Sequence, residues 1–188
     1  LNDLQIASEF PLNPDLVYLN HAAVAPWPLR TTAAMIRFAE ENCRYGASRY
    51  TDWMAVEAQV RQQLETLINA QSADEIALVK NTSEAISIVA CGLDWHPGDN
   101  VVSTNHEFPS NRIAWQAQQR HGVSFMEVNI DGNDPEGALI AACDSHTRVL
   151  TVSSVQYATG RRLDLQRLGQ FCREHSILFC VDAIQSLG

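Results

Sequence analysis

Lysine is almost absent from this chain. Lys80 is the only one in 188 residues, so chemistry that needs an amine nucleophile must use Lys80 or a residue from elsewhere. Basic charge is scarce too. Thirteen Lys and Arg against 22 Asp and Glu leave a net charge of −9, which argues against a nucleic-acid or anionic-membrane surface built from clustered cations. No apolar run approaches the ~20 residues that span a bilayer. The opening LNDLQIASEF lacks the basic-then-apolar order of a secretory leader, and the expectation is a cytoplasmic protein. The five cysteines, Cys43, Cys91, Cys143, Cys172 and Cys180, are odd in number and contain no C-x-x-C pair. They suggest neither a disulfide framework nor a metal site, and are read as buried or partly buried thiols.

Glycine spacing narrows the field further. The chain contains no G-x-G and no G-x-x-x-x-G-K, since its one lysine follows Val79. The dinucleotide fingerprint and the P-loop are therefore both missing. Internal repeats, low-complexity tracts and long linkers are missing as well.

What is present is alternation. PLRTTAAMIRFAEENCRYG, residues 28–46, has proline near a helix start and glycine after its end. DWMAVEAQVRQQLETLINA, residues 52–70, repeats apolar residues at helical spacing behind Asp52 as N-cap. These predict two N-terminal helices in a segment over 1–73. From 74 to 188 short apolar runs read as buried strands: 75–80, 100–104, 124–129, 148–155 and 177–182. Helical stretches lie between them near 83–94, 110–121, 135–143 and 164–175. The expected class is α/β, a mostly parallel sheet covered by helices on both faces.

In such a sheet ligands gather beyond the carboxyl ends of the strands, and three loops there carry chemistry. After the first strand, Thr82 and Ser83 stand where a helix begins; they either seat a phosphate on its N-terminal N–H groups or simply cap it. In NHEFPSNRIAW, Phe108 precedes Pro109 at a helix start, as a cover for a planar heterocycle or as a hydrophobic staple. In FCVDAIQSLG, Asp182 closes an apolar strand, where a carboxylate needs a partner such as a protonated ring nitrogen, or else caps the next helix. Gln185, three residues on, can reach a ring oxygen. A phosphate seat, a ring cover and a ring-nitrogen partner are together the needs of pyridoxal 5'-phosphate.

The segments YLNHAAVAPWP, NTSEAISIVACGL, HEFPSN, SSVQYATG and CVDAIQSLG, in this order from Tyr18 to Gly188, resemble the class V aminotransferase family of fold-type I pyridoxal-phosphate enzymes. That family includes cysteine desulfurases, kynureninases and isopenicillin-N-epimerase-like proteins. The resemblance implies that Thr82 and Ser83 bind the phosphate, Asp182 the pyridinium nitrogen and Gln185 the ring oxygen. It adds Phe108, Asn111 and Gln156, with Tyr157, as residues around the cofactor and His21 as a substrate contact, although a lone loop histidine is more often a satisfied polar residue. It further implies an amino-acid substrate handled by transamination, epimerisation or elimination, and a homodimer with no nucleic-acid or membrane partner.

Two departures shape the expectation. Desulfurases of the family stack a histidine on the ring, whereas Phe108-Pro109-Ser110 is similar to the F-P-[ST]-D stretch of kynureninases, with Asn111 in place of the aspartate. This turns the reading away from a desulfurase. The Schiff-base lysine of the family follows the VDAIQS strand, so it is expected beyond residue 188, together with the rest of the large domain and the small domain. Chains 1–188 alone would then be inactive. A nucleotide-binding α/β domain and a non-catalytic relative are the alternatives.

Overall fold

The computed structural model describes residues 3–187, which fall into two units that part between Leu78 and Val79.

The first unit is helical. It opens with α1 (Asp3–Glu9), a helix the sequence patterns did not indicate, followed by α2 (Leu29–Tyr45) and α3 (Tyr50–Ile68). Pro28 precedes α2 and Gly46 ends it with φ at +53°, a backbone state that glycine reaches without a Cβ penalty. Asp52 does not cap α3. The helix starts two residues earlier behind Arg49, and Asp52 sits in its first turn, where a carboxylate meets the positive end of the helix dipole. Phe38 and Trp53 join α2 to α3 with ring centroids 5.2 Å apart.

The run 75–80 is not a strand. A 3-10 turn covers Ala73–Glu75, Arg61 donates to the Ile76 carbonyl at 2.7 Å, and the residues after it form no ladder. A strand needs a neighbour for its N–H and C=O groups, and the sheet of the described residues ends elsewhere.

The second unit starts with α4 (Thr82–Gly92) and continues through β1 (Asn100–Thr104), α5 (Ser110–Gln116), β2 (Ser124–Val128), α6 (Pro135–Ala142), β3 (Thr147–Ser153), α7 (Leu165–Glu174) and β4 (Leu178–Asp182). A 3-10 turn, Ala117–His121, extends α5. The four strands form one parallel sheet in the order β2-β1-β3-β4. Its central strands are apolar on both faces because both faces are covered. Val101 and Val149 pack with Ile86 and Ala90 of α4 and Trp115 of α5. Val102, Leu150 and Val152 point the other way, onto Leu139 of α6 and Leu168 and Cys172 of α7. The chain runs outward from β1 to β2 and then crosses to β3 on the other side of β1. The carboxyl ends of β1 and β3 therefore flank a topological switch point, the usual ligand crevice of an open parallel sheet.

Candidate functional site

At the start of α4 the capping role belongs to neither Thr82 nor Ser83. Asn81 is the N-cap, its Oδ1 accepting from the Glu84 N–H at 2.9 Å, while Glu84 reaches back to accept from the Lys80 N–H at 3.0 Å. The pair is like a capping box displaced by one residue, since Glu84 holds the N–H before the N-cap rather than that of Asn81. It leaves the hydroxyls of Thr82 and Ser83 for other work. Ser83 meets Ser110 of α5, hydroxyl to hydroxyl, at 2.8 Å, and Thr82 makes no side-chain bond within the described residues. The N–H groups of both residues belong to the first turn, whose donors have no partner inside the helix.

Asp182 ends β4 at 8% exposure, opposite Ser153 of β3 in the ladder. Its Oδ1 accepts from the Ile184 N–H at 3.0 Å, closing a turn rather than capping a helix. Its Oδ2 carries no hydrogen bond within the described residues and is free to accept another. Gln185 lies partly buried in the same turn. Ser186 is tied to Ser154 after β3 at 2.6 Å.

Phe108 is 46% exposed and meets Tyr157 edge to face, centroids 5.2 Å apart and planes at 87°. The loops after β1 and β3 thus present one aromatic pair. The second loop closes on Gly160, whose N–H reaches the Gln156 carbonyl at 2.8 Å with φ at +68°, in the left-handed region that favours glycine.

Asn111, expected around the cofactor, has its amide engaged inside the protein, whereas Gln156, also expected there, engages only its Nε2 and leaves a buried Oε1 without a partner among the described residues. Asn111 is fully buried; its Oδ1 accepts from Trp115 Nε1 at 3.1 Å and Thr151 Oγ1 at 2.6 Å, and its Nδ2 donates to Glu107 at 3.0 Å. Gln156, also fully buried, donates to Glu107 at 3.1 Å. Sequence reading passed over Glu107. Asn111 and Trp115 are one helical step of four apart on α5, but Glu107 lies in the loop before that helix, and no sequence pattern marked it.

Electrostatically the rim is acidic. Burial pushes the Cys180 thiol up, and the nearby carboxylates of Asp182 and Glu107 push the same way against a lowering bond from Thr151. The two carboxylates therefore flank the end of β4 and β3 together. Such a surface suits a ligand that brings its own positive ring and an anion for the helix N-terminus.

His21 belongs to the first unit. Its Nε2 lies 3.0 Å from the Tyr18 carbonyl and its ring is edge to face with Tyr18. The lone lysine, Lys80, is 76% exposed with Nζ 3.5 Å from Glu84. Among the described residues no helix is long and apolar enough to cross a membrane.

The profile of the family described as Aminotransferase class-V matches residues 17–188. The chain is similar to a "Probable cysteine desulfurase" of Methanothermobacter thermautotrophicus, 37% identical, with 97% of this chain and 47% of the relative covered. It is also similar to a cysteine desulfurase of Klebsiella pneumoniae, 30% identical, with 97% and 49% covered. Among solved structures it is similar to a lysine-to-alanine mutant of C-DES with glycine covalently linked to the PLP cofactor. That match has a TM-score of 0.85 at 26% identity, covering 96% of this chain and 50% of that one. It shares its fold with the cysteine desulfurase CsdA of Escherichia coli, TM-score 0.85 at 23% identity, covering 100% and 50%. The chain spans about half the length of the curated relatives it matches.

Proposed function

The chain belongs to the class-V aminotransferase family, and from that premise we propose that its second unit is the cofactor-binding sheet of a pyridoxal-phosphate-dependent enzyme acting on an amino acid. The observation that carries the reading is the division of labour at α4: Asn81 caps the helix, so the Thr82 hydroxyl, the first-turn N–H groups of both residues and a Ser83 hydroxyl shared with Ser110 remain for an anion. Asp182, with one carboxylate oxygen already in a turn and the other unengaged, fits the complementary need of a ring N–H.

In this reading Thr82 and Ser83 hold the phosphate against the positive end of α4. Asp182 accepts the ring N–H and keeps the proton on that nitrogen, and Gln185 bonds the ring oxygen. Phe108 and Tyr157 wall the crevice and exclude water from it. When bound, the cofactor supplies an electron sink for a carbanion at the substrate's α-carbon. His21 is proposed as a contact for the substrate. The lysine that attaches the cofactor is proposed to lie outside residues 1–188, because Lys80 precedes the phosphate loop and stands exposed beside Glu84. The whole protein is proposed to work as a cytoplasmic homodimer.

The names of the relatives favour a sulfur-bearing amino acid and cleavage of its C–S bond. This reverses the expectation drawn from Phe108-Pro109-Ser110, which turned the reading away from a desulfurase. That loop still favours a second reading, a kynureninase-like cleavage beside an aromatic wall. The test is titration of the complete protein with pyridoxal phosphate, followed by visible absorbance, then assays of sulfur release from cysteine and cystine and of cleavage of kynurenine. Absence of cofactor binding overturns the proposal. Binding with turnover of kynurenine alone moves it to the second reading.

A further inference from the structure

Glu107 stands buried in the loop after β1, the whole residue 5% exposed. Every group bonded to it is a donor. Ser153 gives both its N–H at 2.7 Å and its hydroxyl at 2.6 Å. Asn111 Nδ2 follows at 3.0 Å, Gln156 Nε2 at 3.1 Å and Thr104 Oγ1 at 3.3 Å. The direction of the Asn111 bond is fixed from outside: Trp115 Nε1 can only donate, so Asn111 turns its oxygen to Trp115 and its NH2 to Glu107. An ionised carboxylate, with two acceptor oxygens and no proton to donate, suits this set of donors, the 3.3 Å approach of Thr104 being the longest. No cation is ion-paired with Glu107 among the described residues, so these donors alone replace the water it gave up.

The position matters as much as the count. The β1–β3 ladder is last paired at Val102 with Leu150, and the Ser103 hydroxyl then reaches the Thr151 carbonyl at 2.9 Å. Beyond that the strands part into the switch-point crevice, and Glu107 takes the Ser153 N–H there. One carboxylate thus binds the β1 loop to the end of β3 and, through Gln156, to the loop that carries Tyr157. Ser153 is also the ladder neighbour of Asp182. The Phe108–Tyr157 pair belongs to the same two loops.

We propose that Glu107 is a positioning residue of the cofactor site, a buried clamp between the loops 105–109 and 154–160 that sets where Phe108 and Tyr157 stand against a bound ring. The inference rests on the cofactor reading above. The clamp acts through other residues and does not itself meet the ring.

The experiment compares wild type and Glu107→Gln in the complete protein. The substitution keeps the shape but turns an NH2 toward the Asn111 NH2 or the Ser153 N–H, neither of which can accept. Three quantities are read: amide hydrogen exchange at Gln156 and Gly160 without cofactor, affinity for pyridoxal phosphate, and the visible circular dichroism of the cofactor at saturation, which reports ring orientation. The clamp predicts exchange faster by about tenfold, affinity weaker by about tenfold, and an altered dichroic band. Wild-type exchange with a wild-type band overturns it, including when thermal stability alone falls. Should Glu107→Gln fail to fold, Ser153→Ala removes the 2.6 Å hydroxyl bond and leaves the carboxylate; the same changes in milder form support the clamp, and wild-type values overturn it. A wild-type protein that binds no pyridoxal phosphate overturns the cofactor reading instead, a result visible before any variant is made.

Discussion

The hydroxyls of Ser83 and Ser110 lie 2.8 Å apart, which brings the start of α4 beside the start of α5 at the carboxyl edge of the sheet. Because α4 is capped by Asn81, capping and the proposed anion binding rest on different side chains.

The first prediction uses that separation. Replacing Thr82 and Ser83 together with alanine should weaken affinity for pyridoxal phosphate about tenfold, since two hydroxyl donors to an anion are lost while the backbone donors remain, with little change in melting temperature. Asn81→Ala should instead cost about 1 kcal/mol of stability. Calorimetry beside cofactor titration checks both. A double variant that melts early but binds normally would return the two residues to a structural role.

Asp182→Ala is expected to fold, because the side chain contributes only the turn bond to Ile184. In the complete protein it should lower kcat on the order of a hundredfold or more, the scale seen when a preorganised electrostatic partner is removed, while cofactor still binds through α4. Steady-state kinetics on the cofactor-saturated variant decide it, and near wild-type turnover would remove Asp182 from the site.

The legible part of the fold was set by burial on both faces. Strands β1 and β3 sit in the sheet centre, and the adjacent apolar pairs Val101-Val102 and Val149-Leu150, which put an apolar side chain on each face, announced a parallel, two-sided architecture. The run 75–80 looked the same yet forms no strand, because strand formation depends on a neighbour that composition cannot show. At α4 three adjacent polar residues, Asn81, Thr82 and Ser83, are all competent caps, and only the bond from the Glu84 N–H to Asn81 Oδ1 selects Asn81. Asn111 and Gln156 sit in the right loops, but whether an amide faces a crevice or a buried carboxylate is decided by long-range contacts such as Ser153 to Glu107. Phe108 and Tyr157 were legible singly, their pairing was not.

The thiols give a pH prediction. Burial pushes Cys143 and Cys172 up to about 11. A folded-state pKa above the unfolded value means the neutral thiol is favoured by folding. The contribution is full below about pH 9 and is lost as pH rises toward 11. Melting temperature should fall across that window, and the fall should be shallower in Cys143→Ala/Cys172→Ala, whatever its lower starting value. At pH 8 an alkylating reagent should modify the exposed Cys43 and Cys91 well ahead of this pair. Equal labelling of all four would contradict the burial assigned to them.

The last prediction concerns the lone lysine. Lysine nucleophiles work from apolar pockets or beside another cation; Lys80 is 76% exposed and stands 3.5 Å from a carboxylate. Its backbone N–H is held by the same Glu84, which fixes it at the entry to α4, on the phosphate side of the proposed cofactor. Reduction with borohydride in the presence of pyridoxal phosphate, followed by peptide mapping, should therefore give the 188-residue chain no stoichiometric label at Lys80. In the complete protein the label should fall on a different lysine, and Lys80→Arg should leave the labelled position and the visible absorbance of the cofactor unchanged. Stoichiometric labelling of Lys80 in either form would overturn the proposal that the attaching lysine lies outside residues 1–188, and with it the direction in which the cofactor is set across the sheet.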